Sequence, residues 1–214
     1  MEAQHIASTM RLVDTLDEQL VLESTLETSK PKLPPTVAKL HYLLATPFRY
    51  RPHLGSRFRG ALDAGIWYGA EELRTALAEK SYWQLRFLLD SPSMPDLKPV
   101  PHKAFVAAVS APSVDLTAGP LVRDRAKWIH RTSYTATQAL AATARAAEVG
   151  AIRYESVRDA ERAACVAVLA PQSFKRTKPR LGETWFIAAS RERVRCTGEA
   201  GLGPNWEFAA GQLL

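Results

Sequence analysis

Between Pro47 and Arg86 the chain sets four arginines, Arg49, Arg51, Arg57 and Arg59, just ahead of a short apolar run, Ile66-Trp67-Tyr68, that leads straight into a helical stretch. Gly65 followed by Ile66 to Gly69 predicts a strand, and alternation puts Ile66 and Tyr68 on one face and Trp67 on the other. Glu71 to Asp90 predicts a helix, with Leu73, Ala76, Leu77, Gln84, Phe87 and Leu88 along one side. A strand running into an amphipathic helix needs a sheet to join and a layer to cover it. Phe48, Tyr50 and Phe58 interleave the arginines, so part of that basic run belongs inside.

The remaining patterns extend the same architecture. Phe105 to Val109 predicts a strand, and Val114 to Leu116 extends the sheet before the turn at Gly119-Pro120. Ser91 to Pro101 holds four prolines and predicts a loop. Thr132 or Ser133 is placed to cap a long alanine-rich helix ending at Gly150. Ala151 to Val157 and Ala163 to Leu169 predict two strands joined through Arg158-Asp159, and Thr184 to Ala188 and Val194 to Cys196 predict late strands. Strands and helices mix without regular alternation, so the class is α+β, a mixed sheet core with flanking helices. At the start, Met10, Val13, Leu16 and Leu20 predict a helix over about Ala7 to Thr28, broken by Pro31, Pro34 and Pro35. Residues 1–35 are therefore read as a helix and connector, and 36–214 as the main domain. Whether that helix packs on its own domain or serves as a partner-binding arm stays open at this point.

Charge separates the two parts. Residues 1–30 carry six acids, Glu2, Asp14, Asp17, Glu18, Glu23 and Glu27, against Arg11 and Lys30, a net of −4. With +6 overall, the other 184 residues carry +10. A basic body favours an anionic partner, whether a phosphorylated small molecule, an acidic protein or a nucleic acid. Cys165 and Cys196 stand alone, with no CxxC spacing, so neither a metal site nor a disulfide framework is expected. The first residues lack a basic start followed by an apolar block, and no apolar run is long enough to span a bilayer. A cytoplasmic protein that does not enter membranes is expected.

Five residues carry chemical promise. Helical spacing surrounds Glu79 with Thr75, Ala76, Tyr82, Trp83 and Arg86, and a carboxylate beside aromatic rings loses hydration unless a cation or hydroxyl compensates. The alternative has Glu79 pointing to water and pairing with Arg86. Tyr68 lies at a strand-to-helix junction, where ligands often sit, or is simply a core tyrosine with a satisfied hydroxyl. Arginine forks such as Arg49 and Arg57 match phosphate oxygens, and Gly55 allows a bend that brings two of them together. Ser156 has no nucleophile elbow around it and is read as a ligand hydrogen-bonding group or an ordinary strand-end serine.

Phe48-Arg49-Tyr50, Gly55-Ser56-Arg57-Phe58, Ile66-Trp67-Tyr68-Gly69-Ala70, Thr75-Ala76-Leu77-Ala78-Glu79 and Arg153-Tyr154-Glu155-Ser156-Val157-Arg158, in that order, resemble the RES-domain family. The resemblance covers roughly residues 40–180. It implies a fold similar to that of ADP-ribosyltransferase toxins. It also implies a toxin of a bacterial toxin–antitoxin pair, neutralised by an Xre-like helix-turn-helix antitoxin. Such proteins consume NAD+, breaking the nicotinamide–ribose bond and passing ADP-ribose to water, phosphate or a protein. On the matching positions, Arg49, Glu79 and Ser156 take the places of the family's arginine, glutamate and serine. Tyr68 and Arg57 match an accompanying tyrosine and a further arginine. The resemblance gives Glu79 the stabilisation of the cationic ribose, Arg49 and Arg57 the diphosphate, Tyr68 the ribose and Ser156 the nicotinamide side. Where many relatives carry a GGRWN-like run, this chain has Arg59-Gly60-Ala61-Leu62-Asp63; with its TPFRY and GSRF stretches it resembles instead a subgroup in which protein ADP-ribosylation is associated with the fold. NAD+ is expected as substrate, with no metal, no membrane and no direct nucleic-acid contact. The competing readings are a nucleic-acid-binding protein, supported by Lys175, Arg176, Lys178, Arg180 and Arg191 to Arg195, and a non-catalytic interaction protein.

Overall fold

The computed structural model describes residues 12–201 and 203–214. The chain divides into two units, Met1–Pro34 and Pro35–Leu214. In the first, helix α1 spans Leu16–Ser29. Thr15 starts it with a reciprocal cap: the Glu18 N–H donates to Thr15 Oγ1, and the Glu18 carboxylate accepts from the Thr15 N–H, each at 3.2 Å. The helix expected over Ala7 to Thr28 is seen among the described residues as Leu16–Ser29, and residues 7–11 lie outside them.

The second unit holds two four-stranded sheets. The first contains β1 (Trp67–Ala70), β3 (Ser113–Asp115), β4 (Ala151–Glu155) and β5 (Ala164–Val168), in the order β1-β5-β4-β3. β3 runs parallel to β4, and the other pairs are antiparallel. A parallel pair needs a long crossover, and the short helix α4 (Arg125–Trp128) and α5 (Thr135–Ala146) lie in it. The second sheet contains β2 (Leu97–Val106), β6 (Arg180–Ala189), β7 (Arg193–Gly198) and β8 (Trp206–Ala209), antiparallel in that order. Helix α2 (Tyr42–Arg49), the long helix α3 (Leu73–Leu89) and a last turn, α6 (Ala210–Leu213), flank them. This is an α+β fold with a mixed sheet and flanking helices.

Side-chain alternation sorts the core. Tyr68 pairs with Ala167, Ile152 with Ala167, and Tyr154 with Cys165, so these residues share one face of the first sheet. That face is covered by Phe58, Ile66 and the alanines Ala141 and Ala144 of α5. Trp67 falls on the opposite face, with Leu44, Phe48, Phe105 and Phe174. Helix α3 closes the second sheet. Leu77, Ala78, Leu85 and Leu88 pack against Trp185, Ile187, Val194, Cys196 and Phe208.

Three expectations need correction. The proline-rich segment is not loop throughout, because Pro99 and Pro101 lie inside β2. β2 is an edge strand, where only one side of the backbone has to pair, and its register shifts between Leu97 and Val100. Neither Thr132 nor Ser133 caps α5, because the helix starts after Tyr134, which holds the cap position without a side-chain hydrogen bond; the Thr132 and Ser133 N–H groups donate to His130 Nδ1 at 3.3 and 2.8 Å. Its end comes at Ala146, where Glu148 (φ 55°) takes the left-handed conformation expected of a terminating glycine. Gly150 is needed for another reason: a Cβ there would lie 2.4 Å from Ser173 Oγ and 2.6 Å from Ala111 Cβ.

Gly65 is the tightest junction of all. A Cβ at that position would stand 1.7 Å from the carbonyl oxygen of Pro47, so only a glycine lets the end of α2 lie against the start of β1. Backbone cannot swing aside as a side-chain tip can. Gly65→Ala is expected to lower stability by about 1–3 kcal/mol, in the range of overpacking changes, measured by chemical denaturation. An unchanged midpoint would show that the α2–β1 contact is looser than described.

Candidate active site

The turn that joins β4 to β5 meets one stripe of α3. Thr75, Glu79 and Tyr82 are spaced to share a helix face, and each engages a different residue of the turn. Thr75 Oγ1 donates to Asp159 Oδ2 at 2.7 Å. Ser156 Oγ donates to Glu79 Oε1 at 2.7 Å. The Arg158 guanidinium lies over the Tyr82 ring, 3.8 Å from its centroid.

Ser156 is fully buried and its hydroxyl is fully committed. It accepts the backbone N–H groups of Arg158 and Asp159, both at 3.2 Å. A hydroxyl has one hydrogen to give and two lone pairs. Both lone pairs are taken, so the hydrogen points at Glu79. The hydroxyl that the resemblance puts on the nicotinamide side is enclosed between the turn and Glu79. What the geometry supports is the aiming of a carboxylate.

Glu79 itself is half-buried. Arg86, its alternative partner from helical spacing, pairs instead with Asp90 at 3.3 Å. Burial is the main influence on Glu79 and raises its pKa above the ordinary carboxylate range. The Ser156 hydrogen bond, Arg57 and Arg158 pull it back, and Asp159 pushes it further up. The neighbouring thiol of Cys165 lies with its Sγ 4.0 Å from Glu79 Oε1. Burial, reinforced by Glu79, pushes that thiol up to about 12, so it is no thiolate at neutral pH.

The other expected residues divide. Tyr68 is 37% exposed as a residue, while its hydroxyl is paired with Ser56 Oγ at 2.8 Å and accepts the Phe58 N–H at 3.2 Å. Burial raises the pKa of that hydroxyl, so the phenol stays protonated. Arg57 is almost buried, and its Nη1 donates to the carbonyls of Trp128 and His130, each at 3.0 Å. Its guanidinium stands 4.8 Å from the Tyr134 ring centroid. One end of the fork is thus built into the fold, while its charge acts on Glu79, Tyr68 and Cys165. Arg59 is buried too, and spends its donors on the carbonyls of Pro52, Leu54 and Gly60. Arg49 closes α2, on a different element from Glu79's charged neighbours, and the Gly65 junction fixes where that helix end lies.

Arg158 carries no site role in the sequence reading, although it belongs to a quoted segment. Its significance depends on three carbonyls far away in the chain, which no local pattern reveals. A shallow depression of about 390 Å³ lined by Asp96, Lys98, Ser190, Arg193 and Arg195 shares no residue with this constellation. Among the described residues no three His, Cys, Asp or Glu side chains gather as a metal-binding group, and no helix is long and apolar enough to cross a membrane.

The RES domain matches residues 33–189, well over half of the chain. The protein therefore belongs to the RES-domain family, which is known among NAD-related toxins of toxin–antitoxin systems. No curated protein matches the chain.

The raised pKa of Glu79 has a consequence for stability. In the unfolded chain a glutamate titrates near about 4.3, and the folded value lies above this. Glu79 therefore favours folding fully only below the unfolded value, and the benefit is lost as pH rises through the folded one. Glu79→Gln, which keeps an acceptor for Ser156, is expected to melt at or above the wild-type temperature at pH 7 to 8, with the gain fading toward pH 4. Thermal melts across that range check it, and a lower melting temperature at neutral pH would mean that the carboxylate is favourably solvated.

Proposed function

We propose that this protein is a toxin that consumes NAD+ by cleaving the bond between nicotinamide and ribose. The observation that carries this reading is a single half-buried carboxylate, aimed by a committed serine hydroxyl and flanked by two guanidiniums. Membership of the RES-domain family supports it.

The chemistry suits the parts. As the bond breaks, nicotinamide leaves as a neutral molecule with the bonding electrons, and positive charge develops on the ribose C1′ and ring oxygen. A carboxylate poor in hydration stabilises that charge more strongly than one in water. The acceptor then bonds to C1′ and releases a proton. In this proposal Glu79 stabilises the cationic ribose, and the Tyr68 ring stacks near it. Arg49 and Arg57 face the diphosphate, and Ser156 works through Glu79. Protein, phosphate and water remain the three acceptors, and the Gly55-Ser56-Arg57-Phe58 subgroup pattern favours a protein. The reading also includes a cytoplasmic site of action and an Xre-like antitoxin that blocks access to the basic site.

A nucleic-acid-binding role loses much of its support. Arg191 donates to the carbonyls of Ser91, Pro92 and Met94, and Arg193 and Arg195 both pair with Glu207. Sharing the Glu207 carboxylate offsets part of the charge that Arg193 and Arg195 would present to a nucleic acid.

Incubation with NAD+, with and without inorganic phosphate, followed by mass analysis of every product, tests the proposal. Nicotinamide release is expected from the wild type, reduced by about 100-fold or more in Glu79→Gln, as when one transition-state contact is removed. Wild-type turnover by a folded Glu79→Gln variant would refute the assignment.

A further inference from the structure

We propose that Arg158 is a positioning residue that ties the last turn of the chain to the aim and charge of Glu79. The inference builds on the catalytic reading of Glu79. It also extends the working site beyond the segment matched by the RES domain, which ends at residue 189.

Arg158 is almost completely buried, and three separate elements hold it. Its Nη1 donates to the carbonyls of Leu213 and Leu214, at 2.8 and 3.2 Å. Its Nη2 donates to the carbonyl of Arg131 at 2.7 Å, in the segment between α4 and α5. Its plane lies on Tyr82, one helical turn beyond Glu79. The return contacts close the arrangement. Gln212 Nε2 donates to the Arg158 carbonyl at 3.4 Å, and Arg131 Nε donates to Leu214 at 3.2 Å.

Two routes lead from this clamp to the carboxylate. The Arg158 backbone N–H fills one lone pair of Ser156, whose hydrogen goes to Glu79. The guanidinium also places a fixed positive charge beside the same helix stripe. The groups facing Glu79 are Arg57 from the segment before β1, Arg158, Asp159 and Ser156 from the turn, Tyr154 from β4 and Cys165 from β5. Tyr154 and Cys165 are neutral at ordinary pH, so the balance around the carboxylate is two guanidiniums against Asp159. Asp159 is itself paired with Arg74.

Arginine suits this position for its shape as well as its charge. Three carbonyls accept from its two terminal nitrogens while its flat face stacks on a ring, an arrangement an ammonium cannot copy. Arg158→Lys therefore keeps the charge and loses the clamp, whereas Arg158→Met loses both.

The test follows the Glu79 carboxyl resonance by carbon NMR in protein with labelled glutamate, identified by its absence in Glu79→Gln. Arg158→Met is expected to raise the Glu79 titration midpoint by about one unit, the lower end of shifts from a close opposite charge. Arg158→Lys, although destabilised to a similar degree, is expected to stay nearer the wild type. A purely structural role predicts the same midpoint in both variants, and that result would overturn the proposal. If Arg158→Met does not fold, Tyr82→Leu serves in its place. It loosens the guanidinium while leaving the carbonyls, and its midpoint is expected to move upward, an unchanged one counting against the proposal. The acid limb of nicotinamide release is expected to move with the midpoint. A protein that shows the NMR shift but releases no nicotinamide would leave the Arg158 assignment standing and remove the catalytic reading.

Discussion

One hydrogen bond, from Ser156 to Glu79, joins the two halves of this site. Glu79 belongs to a helix whose other side seals the second sheet through Leu77, Leu85 and Leu88. Ser156 belongs to the turn between the two central strands of the first sheet. The contact therefore depends on how one layer docks against the other. It does not stand alone: Thr75 with Asp159 and Tyr82 with Arg158 flank it along the same stripe. Two hydroxyl-to-carboxylate hydrogen bonds and one cation-on-ring contact fix both the spacing and the rotation of the helix. Because Asp159 is buried with an ion-pair partner and a backbone donor, and Ser156 has no lone pair left over, the turn has little freedom to reorient.

The same packing gives the carboxylate its unusual energy. Burial strips water from Glu79, and that desolvation favours the neutral acid. Arg57 and Arg158 oppose it without forming a direct ion pair with Glu79 among the contacts described. Both guanidiniums spend hydrogens on backbone carbonyls of distant segments, so their charge stays in place while their geometry serves the fold. A carboxylate kept between two committed cations is available to an incoming positive charge. A tight salt bridge would have quenched it.

Much of this was legible in the sequence, for reasons that differ from element to element. The α3 helix and the β4–β5 hairpin follow from local periodicity, and Glu79 stood out because a lone acid beside Tyr82 and Trp83 demands a partner. The faces of β1 follow from alternation alone, and Trp67 indeed turns away from Tyr68. Elements decided by tertiary context were not legible. Pro99 and Pro101 read as loop because a sequence does not say which strand lies at a sheet edge. Thr132 and Ser133 read as helix caps, but the helix starts one residue later, after Tyr134, without a side-chain cap. Helix α2 was not assigned, with Pro47 in its last turn, and neither was β8, only four residues long. The roles of Arg57 and Arg158 depend on carbonyls about 30 to 70 positions away, beyond any pattern of local spacing.

The account turns on where the dinucleotide lies relative to Glu79. A crystal structure of the Glu79→Gln variant soaked with intact NAD+ tests this most directly. The account predicts the nicotinamide ribose C1′ beside the side chain at position 79, with the diphosphate on the Arg49 and Arg57 side and the Tyr68 ring against the ribose. Density for NAD+ anywhere else, such as the depression beside Lys98 and Arg193, with nothing at position 79, would contradict it.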